Sequence, residues 1–553
     1  MTDHEPLCGD STGVRAAGHL HTWDEVRDVV VVGLGGAGGS AALEARRCGA
    51  DVLVIDRFGG GGATGKSAGV IYFGGGTDLQ RYAGYEDTPE NMFNYLSMET
   101  DGVVSDETLR AFCETSVENF EWLRSLGVPF PPSGPVSKIS YPCDAATLYF
   151  SGNELCSPYT DRATPAPRGH RPLGKGLTGI LTTTALRQAA LHAGADLQMY
   201  TRAERLVVDG SGEVIGIVVR RLKAPRALSN LLQALIQFGG GINVAAAKIL
   251  QRMMRRLERR SERRFIRARR GVILAAGGFI FNRTMMTENA PGFAGCSLRL
   301  GTAGDDGAGI RLGAAVGGSL GQMARCSAPR FIDPPNAWWK GVLVGRSGAR
   351  ICNETLYGGK IGDHLVQDHG GLGTLIVDAE VMRAGRAQIM KGDPQLYQIF
   401  FGLLNGYVTC RSSQTLGGLA RRIGINPAGL AETVAAYNRG AERGEDGLGK
   451  HTDHLTPLRT PPFYGIPLDK TSLLFPAPCL TLGGLRTDGL NARVLRDDGT
   501  PIDGLYATGK TAVGVSSNGY VSGLSVADGI FTGRAAARHA AARAMPLRTV
   551  SVA

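Results

Sequence analysis

Residues 28–57, DVVVVGLGGAGGSAALEARRCGADVLVIDR, constrain the fold more than any other stretch. Val29, Val30, Val31 and Val32 form an unbroken apolar run, as expected of a parallel strand covered on both faces. Gly33-Leu34-Gly35-Gly36-Ala37-Gly38 follows directly and opens an alanine-rich helical pattern. A second apolar run, Val52 to Ile55, ends in Asp56. Strand, glycine turn, helix, strand and acid within about 30 residues make a dinucleotide fingerprint. Gly33 permits the tight turn, Gly35 lets the backbone approach a pyrophosphate, and Gly38 lets the helix pack against the strand. The helix N-terminus offers uncapped N–H groups to phosphate. Asp56 stands where a carboxylate can accept hydrogen bonds from a ribose diol.

The loop after this unit begins at Arg57 and reads RFGGGGATGKSAGVIYFGGG. Its small-residue centre (Ala63, Thr64, Ser67, Ala68, Gly69) is expected to lie flat against a large planar ligand. A polar helix start follows at Asp305-Asp306-Gly307, placed to bring acid and amide groups to the same cofactor. Near the C-terminus, GLYATGK presents Gly509 at the end of a short strand. SSNGYVSG then opens a last helix at Leu524. Residues 205–208 and 214–219, joined by Asp209-Gly210-Ser211-Gly212, read as a hairpin whose return strand is 271–279.

The chain carries a formal net charge of +10, but residues 220–270 alone hold fifteen Lys/Arg against two Glu, so the remainder is slightly acidic. The basic balance therefore describes one segment and not a general affinity for nucleic acid. Within it, residues 227–247 carry no charge but are too polar for a bilayer span. Residues 248–264, KILQRMMRRLERRSERR, pattern as a basic amphipathic helix. Peripheral attachment to an anionic membrane surface through 222–270 is the expectation. A solvated hairpin or a subunit contact is the alternative. A nucleic-acid arm is disfavoured by the scarcity of stacking aromatics. Residues 1–23 lack the apolar core of a signal peptide, and the ten cysteines show no CxxC. A reduced cytoplasmic setting with no metal site is expected.

Several separated motifs, in this order, resemble one family: GLGGAGG, residues 63–69, VILAAGGF, GTAGDDGAGIRLG, GRSGARICNE, TLGGL and GLYATGK. They are similar to flavoproteins of the fumarate reductase/3-ketosteroid dehydrogenase superfamily. The resemblance implies an α/β fold, a Rossmann-like FAD-binding domain with an inserted α+β substrate-capping domain. It implies FAD rather than NAD as cofactor. On this reading residues 1–27 are an N-terminal extension, and 28–221, 271–300 and 470–553 bind FAD. Residues 222–270 are the insertion and 301–469 the cap.

Fumarate reductases of the superfamily place an arginine and a histidine on their dicarboxylate. Neither occurs here: Asn353 to Gly358 holds no arginine, and no histidine precedes Thr481 to Gly484. Instead YFSGNE, PAPRGH, ETLY and GYVSG resemble the 3-ketosteroid-Δ4-(5α)-dehydrogenases. Carried over by position, the resemblance implies Tyr357, Tyr520 and Ser522 as the active site. It also implies backbone contacts from Ala203 to adenine and from the Leu524 N–H to the flavin pyrimidine edge. The implied activity is desaturation of a 3-ketosteroid A ring, by loss of an alpha proton and hydride transfer to flavin N5. An external electron acceptor would complete the cycle. The Δ1-dehydrogenase and an enone reductase running in reverse are the neighbouring alternatives. Tyrosine suits such chemistry: its hydroxyl donates to a developing enolate oxygen, while its ring packs on an apolar substrate.

Overall fold

The computed structural model describes residues 14–16, 22–133, 136–222, 261–296, 298–391, 394–472 and 477–544. The valine run forms β1 (Glu25–Val32), followed by α1 (Gly36–Arg47) and β2 (Val52–Ile55). β1 and β2 pair in parallel from Val29↔Val52 to Val32↔Ile55. Val29, Val30 and Val31 are fully buried, as are all four residues of β2. Each such side chain contributes about 1.5–3 kcal/mol through burial, which is why the run tolerates no polar alternation.

The hairpin strands are β3 (Thr201–Val208) and β4 (Val214–Arg221). Their partner β5 (Glu262–Leu274) is longer than the return strand expected from Gly271. Its first half, Glu262 to Arg267, pairs antiparallel with β4. Its second half, Val272 to Leu274, pairs in parallel with β1 on one edge and with β6 (Pro501–Ala507) on the other. A register shift between Ala268 and Gly271 separates the halves. Gly271 has φ +151°, and a Cβ there would stand 2.8 Å from the Tyr506 ring. One bulged strand thus joins the hairpin to the dinucleotide sheet, nine strands in all among the described residues.

This moves three expected boundaries. The sheet resumes at Glu262, so 262–264 are strand and not the end of a basic helix; strand pairing with β4 outweighs the local helical pattern. Most of the 222–270 insertion lies outside the described residues, and so does the apolar and basic stretch expected to meet a membrane. Among the described residues, no helix is long and apolar enough to cross one. At the second boundary, Leu312 of the helix Ala308–Ala314 packs with Leu274, Leu485 and Val494. The chain from 301 to that helix therefore belongs to the dinucleotide-binding layer and not to the cap. The N-terminal side shows the same effect. Glu25 already begins β1, and Asp24 N donates to Phe265 O at 2.9 Å.

The region expected to form the cap has its own antiparallel sheet, ordered Val342–Val344, Thr374–Val377, Phe463–Pro467, Arg411–Ser413. Helix Pro427–Arg443 covers it through buried Leu430 and Val434. The last helix, α2 (Leu524–Ala542), returns to α1. Their approach is set by missing side chains: a Cβ on Gly533 would lie 2.5 Å from Ala37 O, and one on Gly529 3.2 Å from Ala37 Cβ.

Candidate active site

The glycine turn divides into residues that pack and one that stays open. Gly33 has φ +105°, and a Cβ there would fall 2.5 Å from Ala275 O; on Gly38 it would fall 1.9 Å from Gly33 O. Gly35 differs: the nearest atom to its absent Cβ is Gly62 Cα at 3.9 Å. Gly35 is also the N-cap of α1 and provides no side-chain cap. An open glycine at an uncapped helix start fits a diphosphate. Gly36 N donates to Thr64 Oγ1 at 3.3 Å, docking the second loop beside it. Ala63 precedes the short turn Thr64–Lys66 as its N-cap. Gly509, with φ +55°, closes on Ala37, its Cβ position 3.0 Å from Ala37 Cβ.

Asp56 is half-buried and accepts from Leu34 N at 2.8 Å and Phe58 N at 2.7 Å, one bond to each oxygen. Burial raises its pKa, against the pull of these amides. It clamps the turn to the following loop. A carboxylate has about four acceptor sites, so capacity for a diol remains. Ala203 lies on the strand that leaves this corner, where Thr201 N donates to Asp56 O at 2.8 Å.

The loop at 63–69 is fixed. Ser67 Oγ donates to Thr64 O at 2.8 Å and accepts from Gly69 N at 3.1 Å. Ala68 O accepts from Thr178 Oγ1 at 3.0 Å, with the Tyr141 hydroxyl oxygen 3.1 Å away. Arg57 pairs with Asp306 at 2.9 Å, and Asp306 Oδ1 accepts from Ala308 N at 3.0 Å.

Asp305 departs from expectation. Its Oδ1 accepts from Lys510 Nζ at 2.9 Å and Gly278 N at 3.1 Å, and its Oδ2 from Thr302 N at 2.8 Å and Thr302 Oγ1 at 3.2 Å. Burial works against its charge, but Lys510 and the amides hold its pKa below the usual range. With every acceptor site taken, Asp305 is a buried clamp between segments and has none left for a ligand. Leu524 also differs: its N–H donates inside the turn to Val521 O at 3.2 Å.

A small sheet positions the reactive side chains. Ile71–Tyr72 and Leu148–Tyr149 flank Gly169–His170. The loop before α2 docks on this sheet through Tyr72 N to Gly523 O and Ser522 N to Ser151 O, both 3.2 Å. Tyr149 OH then donates to Ser522 Oγ at 3.2 Å. Tyr357, buried, precedes helix Gly358–Asp368, and its N–H donates to Asn153 Oδ1 at 2.7 Å. Gly359 lies between two expected partners: its Cβ position is 2.5 Å from Tyr520 O and 3.0 Å from the Tyr357 ring.

Burial pushes the Tyr357 hydroxyl well above its ordinary pKa. The phenols of Tyr520 and Tyr149 add to this, and the Ser522 hydroxyl opposes it. Tyr149 and Tyr520 are also raised, chiefly by burial. All three are therefore neutral donors near pH 7. Such a cluster can stabilise charge on a carbonyl oxygen and pass a proton along hydroxyls.

The structure brings Tyr357, Tyr520 and Ser522 together and adds Tyr149, which sequence reasoning left without a role. Its signal was its place in YFSGNE. Asn153 and Glu154 of that motif are buried structural groups. Asn153 Nδ2 donates to Glu99 at 2.7 Å, and Glu154 accepts from Tyr72 OH at 3.2 Å. PAPRGH is structural as well: Arg168 makes a fully buried bidentate pair with Asp87 at 2.9 and 2.8 Å.

A model of the FAD binding domain family matches residues 28–526. The chain is 38% identical over 503 residues to 3-oxo-5-alpha-steroid 4-dehydrogenase of Comamonas testosteroni, covering 88% of this chain and 93% of that one. Among solved structures it resembles 3-ketosteroid-delta4-(5alpha)-dehydrogenase from Rhodococcus jostii RHA1, in complex with 4-androstene-3,17-dione. The TM-score is 0.80 at 32% identity, covering 96% of this chain and 99% of that one. 3-Ketosteroid delta1-dehydrogenase from Sterolibacterium denitrificans shares the fold, with TM-score 0.62 at 20% identity over 94% of this chain and 100% of that one.

Proposed function

This chain belongs to the FAD binding domain family, and from that premise we propose that it is an FAD-dependent 3-ketosteroid dehydrogenase acting at the Δ4-(5α) position. The observation that carries the reading is the contact of Tyr149 with Ser522 beside Tyr357 and Tyr520. A 3-ketosteroid offers an apolar body and one carbonyl to polarise. Neutral phenols held by burial suit that carbonyl better than they suit a dicarboxylate. The likeness to the Comamonas and Rhodococcus enzymes supports the position of desaturation.

FAD, when bound, supplies a two-electron acceptor for hydride. Gly35 and the α1 N-terminus would hold its diphosphate, and the loop at 63–69 would support its ring system. The Asp56 and Ala203 corner would hold its adenosine half. The remaining chemistry belongs to hydroxyl groups. A phenol of Tyr357 or Tyr520 donates to the substrate carbonyl as negative charge gathers there. The alpha proton is taken by one of these hydroxyls after it has released its own proton to solvent, and Ser522 Oγ, hydrogen-bonded to Tyr149, stands beside the phenols as the relay for that release. Reoxidation calls for an external acceptor.

Anaerobic mixing of the yellow protein with 5α-reduced 3-ketosteroids should bleach the visible flavin band and give a C4–C5 double bond by NMR. Bleaching by no ketosteroid, or a product unsaturated at C1–C2, would overturn the reading.

A further inference from the structure

Two exposed apolar ridges meet at Asp144. In one, Leu173, Leu177 and Ile180 stand in solvent, Ile180 with 52% of its surface. In the other, Leu396, Phe400 and Leu403 point outward from helix Leu396–Leu403, Leu396 with 84%. Their i, i+4, i+7 spacing marks one helical face, the kind normally buried; here Gln398 and Gly402 are buried instead.

Asp144 Oδ1 accepts from Gly176 N at 2.9 Å and from Gln395 Nε2 at 2.7 Å. The neighbours of Leu177 and Leu396 thus share one oxygen. Tyr141 repeats the link: its hydroxyl donates to Gly176 O at 2.7 Å, and its carbonyl accepts from Gln398 Nε2 at 3.1 Å. These bonds hold the two exposed apolar ridges beside each other as a rim, and clustered exposed apolar side chains of this kind mark an interaction site.

We propose that this rim docks on an anionic phospholipid bilayer. Its charge is complementary. Exposed Lys175 sits between Leu173 and Leu177, and exposed Lys391 stands before the helix. Residues 381–425 contain six Lys/Arg and a single acid, Asp393. Arg171 Nη2 neutralises Asp144 from within at 3.3 Å. A two-fold contact with a second copy would set these cations against themselves, whereas an anionic headgroup layer attracts them. None of the rim's residues belongs to the 222–270 insertion. Its use, lateral uptake of an apolar substrate from the bilayer, rests on the ketosteroid reading; the docking itself does not.

The test is co-sedimentation of the FAD-loaded full chain with phosphatidylcholine vesicles, with and without phosphatidylglycerol. Binding should need the anionic lipid and weaken with salt. L396S combined with F400S should cut vesicle binding about tenfold or more, from the apolar area removed, and K391Q about fivefold. Flavin content and melting temperature should stay unchanged in each variant. Undiminished binding by the apolar double variant would overturn the proposal. So would a lipid-free dimer that this variant dissociates. A raised steroid KM in lipid-free buffer, with vesicle binding intact, would make these side chains substrate lining and also overturn it.

Discussion

The phenol of Tyr149 donates to Ser522 Oγ at 3.2 Å across 373 positions of chain. Tyr149 is fully buried, so the bond forms in a water-poor site where it orients both groups. Tyr149→Phe keeps the ring and its packing and removes only the donor. Ketosteroid-driven flavin bleaching should slow by about 100-fold, the lower end for acid–base groups, with KM little changed. Ser522→Ala should lose a similar factor, and the double variant little more, because the pair acts as a unit. Stopped-flow single turnovers measure all three; a Tyr149→Phe rate equal to the parent's would remove Tyr149 from the mechanism.

Asn153 holds the backbone that carries Tyr357. Its Oδ1 accepts from Tyr357 N at 2.7 Å, its Nδ2 donates to Glu99 at 2.7 Å, and its own N–H donates to Tyr95 OH at 2.8 Å. Asn153→Ala strands a buried N–H and part of a buried carboxylate, at about 1–3 kcal/mol for each group. Thermal unfolding should shift down accordingly, and turnover should fall with it. Asn153→Asp restores the acceptor but sets a second carboxylate against Glu99, so it should not rescue. A rescued melting temperature in that variant would remove the Asn153–Glu99 hydrogen bond from the account of this site's stability.

His170 gives the fold an acid limit. Its ring lies fully buried between Thr77 Oγ1 and Arg168 O, each at 3.0 Å, and burial lowers its pKa to about 4. An unfolded histidine titrates near pH 6.5, so between these values the unfolded chain binds the extra proton. Stability from this group is complete above about pH 6.5 and declines toward pH 4, by about 3 kcal/mol in total. Denaturant unfolding across that window should show the slope. His170→Gln should be less stable at pH 7 and flatter below it. An unchanged slope in the variant would assign the acid loss to other groups.

The parts of this molecule most legible in its sequence are those in which neighbours in the chain are also neighbours in space. Val29 to Val32, the glycine turn and β2 fall within one local unit, and their pattern specifies their pairing. Tyr357, Tyr520 and Ser522 were reached only through resemblance, since nothing local distinguishes a reactive tyrosine from a packed one. Asp305 is not decided locally, because an acid after a glycine turn has the same pattern whether it faces a ligand or an internal lysine. Lys510, 205 residues away, decides between them. β5 was cut short for a related reason. Its first half is arginine-rich and resembles a helix face until β4 is laid beside it. Tyr149 escaped because its partner lies on the last loop before α2.

The glycine turn separates packing from ligand approach in a way that two alanines can test. At position 38 a methyl would fall 1.9 Å from Gly33 O, inside any contact distance, so α1 must move off the sheet. Gly38→Ala should therefore destabilise the protein even without cofactor, by about 1–3 kcal/mol as for other overpacked sites. At position 35 the added methyl meets nothing nearer than 3.9 Å. Its backbone is extended, at φ −95°, which alanine adopts freely. Gly35→Ala should leave the melting temperature of the FAD-free protein unchanged. The methyl nevertheless occupies the space through which a diphosphate would reach the α1 amides, so FAD affinity should fall by more than tenfold. Titration of the two apoproteins with FAD, followed by flavin fluorescence, gives both numbers. If Gly35→Ala bound FAD as tightly as the parent, the diphosphate would have to lie elsewhere than against this turn.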